Sequence, residues 1–246
     1  MSKLNLNTTL DYSPNFDKKK RITKQIKFII FHYTGMREEN AAIKKLKNFK
    51  SKVSCHYFIK SDGKILNLVP DLYIAWHAGI SSWRNKNYLN KNSIGIEISN
   101  PGHNFKYKKF SKKQIDSILK LSKYLINKYK IKKNSILGHS DISPDRKKDP
   151  GEKFPWKKLA KSHLAKWHNL NKKEITKKRL KKLSENEEQK FLKNLYNIGY
   201  RKIEKLNPLM NKRFLIKAFQ RRFRQSLING KSDQECFIIS KNLLKS

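Results

Sequence analysis

The sequence is short of acids, of cysteine and of long apolar runs, and each shortage removes a class of protein. Its 246 residues hold 19 Asp+Glu against 58 Lys+Arg, a formal net charge of +39. A field of that sign favours polyanions over cationic partners. The lysines, however, are interleaved with isoleucine and asparagine along the whole length, which reads as a composition bias and not as a basic arm. No specific nucleic-acid partner is therefore expected. The two cysteines, Cys55 and Cys236, lie far apart, so neither a disulfide framework nor a cysteine metal site follows from them. The apolar run 28–31 after Lys18-Lys19-Lys20-Arg21 is too short for a secretory signal or a membrane span, and no N-terminal apolar stretch ends in cysteine. The expectation is a soluble monomer without a membrane span, made without Sec export and cytoplasmic; delivery to the cell envelope by a non-Sec route is the alternative.

What is present divides the chain. Residues 1–24 are polar and read as an irregular extension, with a turn at Ser13-Pro14-Asn15. Residues 26–33, Ile-Lys-Phe-Ile-Ile-Phe-His-Tyr, form a β-prone run suited to a strand buried on both faces, with His32 near its end. Residues 38–49 place acids early, lysines late and apolar positions at Ala42, Ile43, Leu46 and Phe49, an amphipathic helix. Residues 53–60 and 64–69 read as a hairpin closed by Ser61-Asp62-Gly63. In 93–99 the isoleucines at 94, 96 and 98 alternate with Gly95 and Glu97, which puts Glu97 on the face opposite the isoleucines. A long amphipathic helix over 111–130, with Ser111 as N-cap, precedes a short strand ending at Leu137, and 154–170 suits a closing helix. Strands alternating with helices predict an α/β fold, a mixed sheet flanked by helices, over 25–170. Residues 171–185 form a basic linker or extended helix, and 186–246 a small domain of three helices.

The densest chemistry lies in 138–151, where His139, three aspartates and three basic residues sit between prolines and glycines. Such punctuation defines a loop path, and loops on rigid elements usually carry sites. Catalytic zinc takes three N or O ligands and keeps one position open. His32 at a strand end, His139 at the loop start and Asp149 further along would supply these if the two strands were neighbours. Spacing alone does not choose them among seven histidines, and Asp141 and Asp145 are equally good ligands by composition.

Five segments decide between these possibilities. His32-Tyr33-Thr34-Gly35, Ser54-Cys55-His56-Tyr57, Ala75-Trp76-His77-Ala78-Gly79, Asn92 to Glu97 and Gly138-His139-Ser140-Asp141-Ile142 through Asp149-Pro150-Gly151 occur in an order that resembles zinc-dependent N-acetylmuramoyl-L-alanine amidases of the amidase_2 group, relatives of peptidoglycan-recognition proteins. The resemblance covers roughly residues 25–168. It implies one zinc ion held by His32, His139 and Asp149, Glu97 as the acid that activates water, and Lys147 beside the developing oxyanion. It also implies peptidoglycan fragments or muropeptides as partners, in peptidoglycan turnover or recycling. Members that lack the glutamate have a tyrosine before the histidine matched by His56; Cys55 stands there, so the base role falls on Glu97. His56 and His77 are expected to shape the groove or orient a ligand, and Trp76, Trp83 and Arg84 to meet substrate, the tryptophans by stacking on sugar unless they belong to the core. In the C-terminal part, Phe219-Gln220 with Gly230 and Asp233 resembles the pattern of small helical peptidoglycan-binding domains. A phage-type lytic amidase acting on intact wall and a non-catalytic recognition module are the alternatives.

Overall fold

The computed structural model describes residues 7–203 and 206–245. In chain order its strands are β1 (Thr8–Leu10), β2 (Phe16–Asp17), β3 (Phe28–Tyr33), β4 (Tyr57–Ile59), β5 (Ile65–Asn67), β6 (Ile74–Ala75), β7 (Ser82–Trp83), β8 (Lys86–Asn87), β9 (Ser93–Ile98) and β10 (Ile136–Gly138). The helices are α1 (Glu39–Lys47), α2 (Lys112–Tyr129), α3 (His139–Ile142), α4 (Trp156–Lys161), α5 (Lys172–Thr176), α6 (Glu185–Ile198), α7 (Pro208–Phe223) and α8 (Gln234–Lys245). Six strands form one mixed sheet in the order β1-β5-β4-β9-β3-β10, in which only β4 and β5 pair antiparallel.

Alternation along the central strands sorts their side chains between two cores. Ile29 and Phe31 of β3 join Ile94, Ile96 and Ile98 of β9 on one face, which α2 covers with Ile118, Leu121 and Leu125. Helix α2 starts where the sequence places it: the Ser111 hydroxyl accepts from the Gln114 amide N–H while the Gln114 side chain accepts from the Ser111 N–H. The β4–β5 hairpin turns through Gly63, whose φ of 86° lies in the left-handed region that glycine tolerates.

The opposite face has two separate covers. Ala42 and Leu46 of α1 pack with Cys55, Phe58 and Leu68. Helices α6, α7 and α8 close over Phe28, Ile30 and Leu137, with Phe191, Leu195, Leu215, Phe219 and Ile239 in the same core. Between these covers lies the C-terminal end of β3, β9 and β10, and there the polar residues His32 and Glu97 stand side by side in register. Crevices at the carboxyl ends of parallel strands are where such sheets bind ligands.

Several expectations change. The N-terminal extension is not irregular throughout, because β1 adds a parallel edge strand to β5 and β2 pairs with β6; Met1–Leu6 lie outside the described residues. An edge strand of three largely exposed residues carries no alternation to read. The closing helix is only α4, since His163 takes a positive φ of 58° and turns the chain. The first turn of the 138–151 segment is helical, as α3. Residues 171–185 hold α5, and Arg179 pairs with Glu235 of α8 at 2.6 Å. The Phe-Gln, Gly and Asp pattern fastens one helix to the next: Gln220 Oε1 accepts from the Asn229 and Gly230 N–H groups, and Asp233 caps α8 at the Cys236 N–H.

One ion pair joins the C-terminal helices to the α3 segment. Arg222 of α7 donates from Nη1 to Asp141 Oδ2 and from Nη2 to the Ile136 carbonyl, each at 2.7 Å. The Tyr200 hydroxyl donates to Asp141 Oδ1 at 2.8 Å, and the Gly138 N–H to Oδ2 at 2.8 Å. Both charged side chains are almost fully buried. Removing one partner of such a pair leaves the other charge uncompensated. Arg222→Met is expected to cost about 3–5 kcal/mol in urea unfolding, and Asp141→Asn in the same chain to recover part of the loss; a loss below about 1 kcal/mol would show that the pair does not hold the segment.

Candidate metal centre

The end of β3, the start of α3 and the loop beyond α3 that carries Asp149 bring three donor atoms together. His32 Nδ1 lies 2.9 Å from His139 Nδ1 and 3.1 Å from Asp149 Oδ2, and His139 Nδ1 is 2.9 Å from the same oxygen. All three residues are buried. The other ring nitrogens are already engaged. His139 Nε2–H donates to the Ala78 carbonyl at 3.2 Å, and His32 Nε2–H to His77 Nδ1 at 3.0 Å. The remaining His77 proton goes to Ser93 Oγ at 3.2 Å, and that hydroxyl donates to the Leu89 carbonyl at 2.6 Å. With the protons assigned outward along this chain, both Nδ1 atoms present lone pairs to the carboxylate. Three acceptors in mutual contact, with no proton between them, fit a cation. Burial holds His32 neutral, lowering it to about 4, with His139 adding to the effect. Burial alone would raise Asp149, but the two histidines outweigh it and keep the carboxylate ionised.

The glycine at the centre of β9 admits this arrangement. A Cβ on Gly95 would fall 2.4 Å from the His77 ring, so any larger residue would push the imidazole off His32. Two residues further along, Glu97 turns its carboxyl to the same cleft. Its Oε2 has no hydrogen-bond partner among the described residues, and burial, helped by Asp149, pushes the group up to about 8. Lys147 and Lys148 line the cleft with Tyr33, Trp76 and His77, and the space measures about 510 Å³. Cys55 is no alternative acid or base, since burial raises its thiol well above the ordinary value.

Comparisons with known proteins bear directly on this centre. The family model Amidase_2, described as N-acetylmuramoyl-L-alanine amidase, matches residues 22–152, a span that holds all three donors and Glu97. The N-acetylmuramoyl-L-alanine amidase AmiD of Escherichia coli is 34% identical over 233 residues, covering 90% of this chain and 83% of that protein. The chain belongs to the N-acetylmuramoyl-L-alanine amidase family.

Two solved structures show that the likeness runs through this amidase to its last helices. AmiD of E. coli, in complex with the substrate anhydro-N-acetylmuramic acid-L-Ala-D-gamma-Glu-L-Lys, superposes with a TM-score of 0.79 at 31% identity, covering 93% of this chain and 92% of that one. AmpDh3 of Pseudomonas aeruginosa, in complex with anhydromuramic pentapeptide, gives 0.79 at 28% identity, covering 96% and 98%.

The remaining expected site residues separate. Trp76 edges the cleft, its Nε1–H donating to Asp17 Oδ1 at 2.7 Å. His77 reaches the cleft but acts through His32. His56 is fully buried away from it; its Nδ1 accepts from the Gly95 N–H at 3.0 Å, which makes it a strut beneath β9. Arg84 lies elsewhere, beside Trp83, Lys166 and Arg222, with its N–H donating to the Gly199 carbonyl. Trp83 is core, packed edge-on against Tyr200 at 4.9 Å. Asp141 braces the segment, while Asp145 makes no side-chain hydrogen bond among the described residues. Sequence reasoning missed Tyr33 and Lys148, each adjacent to a donor residue and each on the cleft wall.

The raised Glu97 carboxyl has a thermodynamic signature in the metal-free protein. Unfolded, the group ionises above its ordinary 4.5; folded, it keeps its proton up to about 8. Between those values the unfolded state binds fewer protons, so the carboxyl destabilises the fold progressively as pH rises. Glu97→Gln removes that penalty. The variant is expected to match the parent near pH 4.5 and to gain stability up to about pH 8, on the order of 3 kcal/mol at pH 7. Urea unfolding at a series of pH values checks this, and a pH-independent difference would contradict the buried, protonated carboxyl.

Proposed function

We propose that this amidase hydrolyses the amide between N-acetylmuramic acid and L-alanine of the stem peptide, with one zinc ion held by His32, His139 and Asp149. The observation that carries the reading is Glu97: a buried carboxyl whose Oε2 has no partner among the described residues, facing the cleft in which three lone-pair donors converge. Two imidazoles and one carboxylate are a donor set typical of catalytic zinc. Bound there, zinc supplies Lewis-acid polarisation of the carbonyl and acidification of water.

The chain's own residues supply the rest. An amide nitrogen leaves poorly unless protonated, so one group must take a proton from the attacking water and return it to nitrogen. Glu97 is placed for both transfers, and its buried carboxyl binds a proton far more readily than an exposed one. Lys147, with no side-chain partner among the described residues, directs a fixed positive charge into the cleft where the oxyanion develops. His77 and the Ala78 carbonyl orient the two imidazoles. The relatives solved with anhydromuropeptides bound, and a relative named as a 1,6-anhydro-N-acetylmuramyl-L-alanine amidase, support peptidoglycan fragments, including anhydro forms, as the substrate class.

The roles separate experimentally. Glu97→Gln is expected to lower turnover of a defined muropeptide by about 10²–10⁴-fold with zinc content unchanged. His139→Ala should lose both zinc and activity, and Lys147→Ala should lower turnover while retaining zinc. Undiminished turnover in the Glu97 variant would overturn the mechanism; loss of zinc in the Lys147 variant would make that residue structural.

A further inference from the structure

Next to the metal cleft, between α7 and the end of the 138–151 segment, runs a second groove of about 420 Å³. His103, Lys148, Glu152, Lys217, Arg221 and Gln225 line it. Lys148 lines both spaces, so the groove and the cleft adjoin. Arg221 is only 9% exposed, yet its guanidinium makes no hydrogen bond or ion pair with the described residues. Its neighbours on the same stretch behave differently: Arg222 is bound to Asp141 and Arg224 to Asp233. Glu152, the acid that lines the groove with Arg221, is already engaged, since its Oε2 faces His103 Nε2 at 3.0 Å and His103 Nδ1 in turn meets the Tyr33 hydroxyl at 2.8 Å.

Positive charge accumulates at this place. Arg213, Lys217 and Arg221 recur every four residues on α7 and share one helix face. Burial lowers Lys217 below its ordinary value, and Arg213, Arg221 and Lys148 lower it further by repulsion. A buried guanidinium gains most from a carboxylate, which its planar donors meet in two places.

We propose that Arg221, with Lys148 and Lys217, forms a carboxylate subsite that receives the peptide half of the substrate, so that the C-terminal helices take part in substrate selection. The proposal rests on the amidase reading above. The peptide in the E. coli complex, L-Ala-D-gamma-Glu-L-Lys, carries two free carboxylates, because a γ-linked glutamate keeps its α-carboxyl and the chain ends in another. The groove adjoins, through Lys148, the cleft where the L-alanine amide would be cut, and its free positive charge complements a peptide of that charge.

Three substrates test this with the full-length, zinc-loaded protein: the anhydromuramoyl tripeptide, its analogue amidated at the glutamate α-carboxyl, and its analogue amidated at the C-terminus. Arg221→Gln is expected to raise KM for the tripeptide about tenfold or more with kcat nearly unchanged. The parent protein should show the same penalty on one amidated analogue, which identifies the carboxylate that is held, and the variant should no longer distinguish that analogue from the acid. Lys217→Gln should act in the same direction more weakly, and because that residue has no side-chain partner among the described residues it keeps the test available if the Arg221 variant fails to fold. Equal loss on all three substrates would make Arg221 structural and overturn the subsite, as would a parent protein indifferent to both amidations. Failure of the parent to cleave any of the three would overturn the amidase reading itself.

Discussion

Everything at the centre depends on holding three lone pairs against one another. Two imidazole nitrogens and a carboxylate oxygen within about 3 Å of each other repel unless a cation lies among them. The fold therefore has to supply the positioning force from elsewhere. It does so through the opposite edges of the same rings, where the Ala78 carbonyl holds one histidine and the His77–Ser93–Leu89 chain holds the other. Gly95 makes that chain possible by leaving room for the His77 ring on the strand surface.

The uneven cover of the sheet turns this arrangement into a site. One face is sealed by α2, and the other by α1 on one side and α6 to α8 on the other. The carboxyl ends of β3 and β9 emerge in the gap. The C-terminal helices are therefore more than an appendage: their apolar residues complete a core that the sheet opens with Phe28, Ile30 and Leu137, and Arg222 grips the segment that carries His139. The helix that performs this structural work also carries Arg221 to the edge of the cleft.

Much of this was legible in the sequence wherever a period or a cap announced it. The alternation of Ile94, Ile96 and Ile98 placed Glu97 on the polar side of β9, and Ser111 marked the start of α2. The donors were a different matter. His32 and His139 stand 107 positions apart, a separation across which local rules say nothing, so their partnership rested on five ordered motifs resembling one family. Short and edge elements left no trace: β1 has no buried face to alternate, and α3 is a single turn. Arg84, expected to meet substrate, lies outside the cleft beside Trp83, which belongs to the core, and no local pattern in the sequence reports that placement. Gln220-Arg221-Arg222 read as part of a motif; only the fold reveals that Arg222 is paired with Asp141 while Arg221 has no such partner among the described residues.

The central claim is that water, not another nucleophile or another bond, is directed at the carbonyl of the muramoyl–alanine amide. Mass spectrometry of a defined muropeptide incubated with the zinc-loaded protein in ¹⁸O-water tests it most directly. One labelled oxygen on the lactyl carboxylate of the muramic acid product and an unlabelled peptide with a free L-alanine amine, both abolished by a chelator and restored by zinc, are the predicted result. Label at any other position, or release of the peptide that persists after the metal is stripped, would contradict the account.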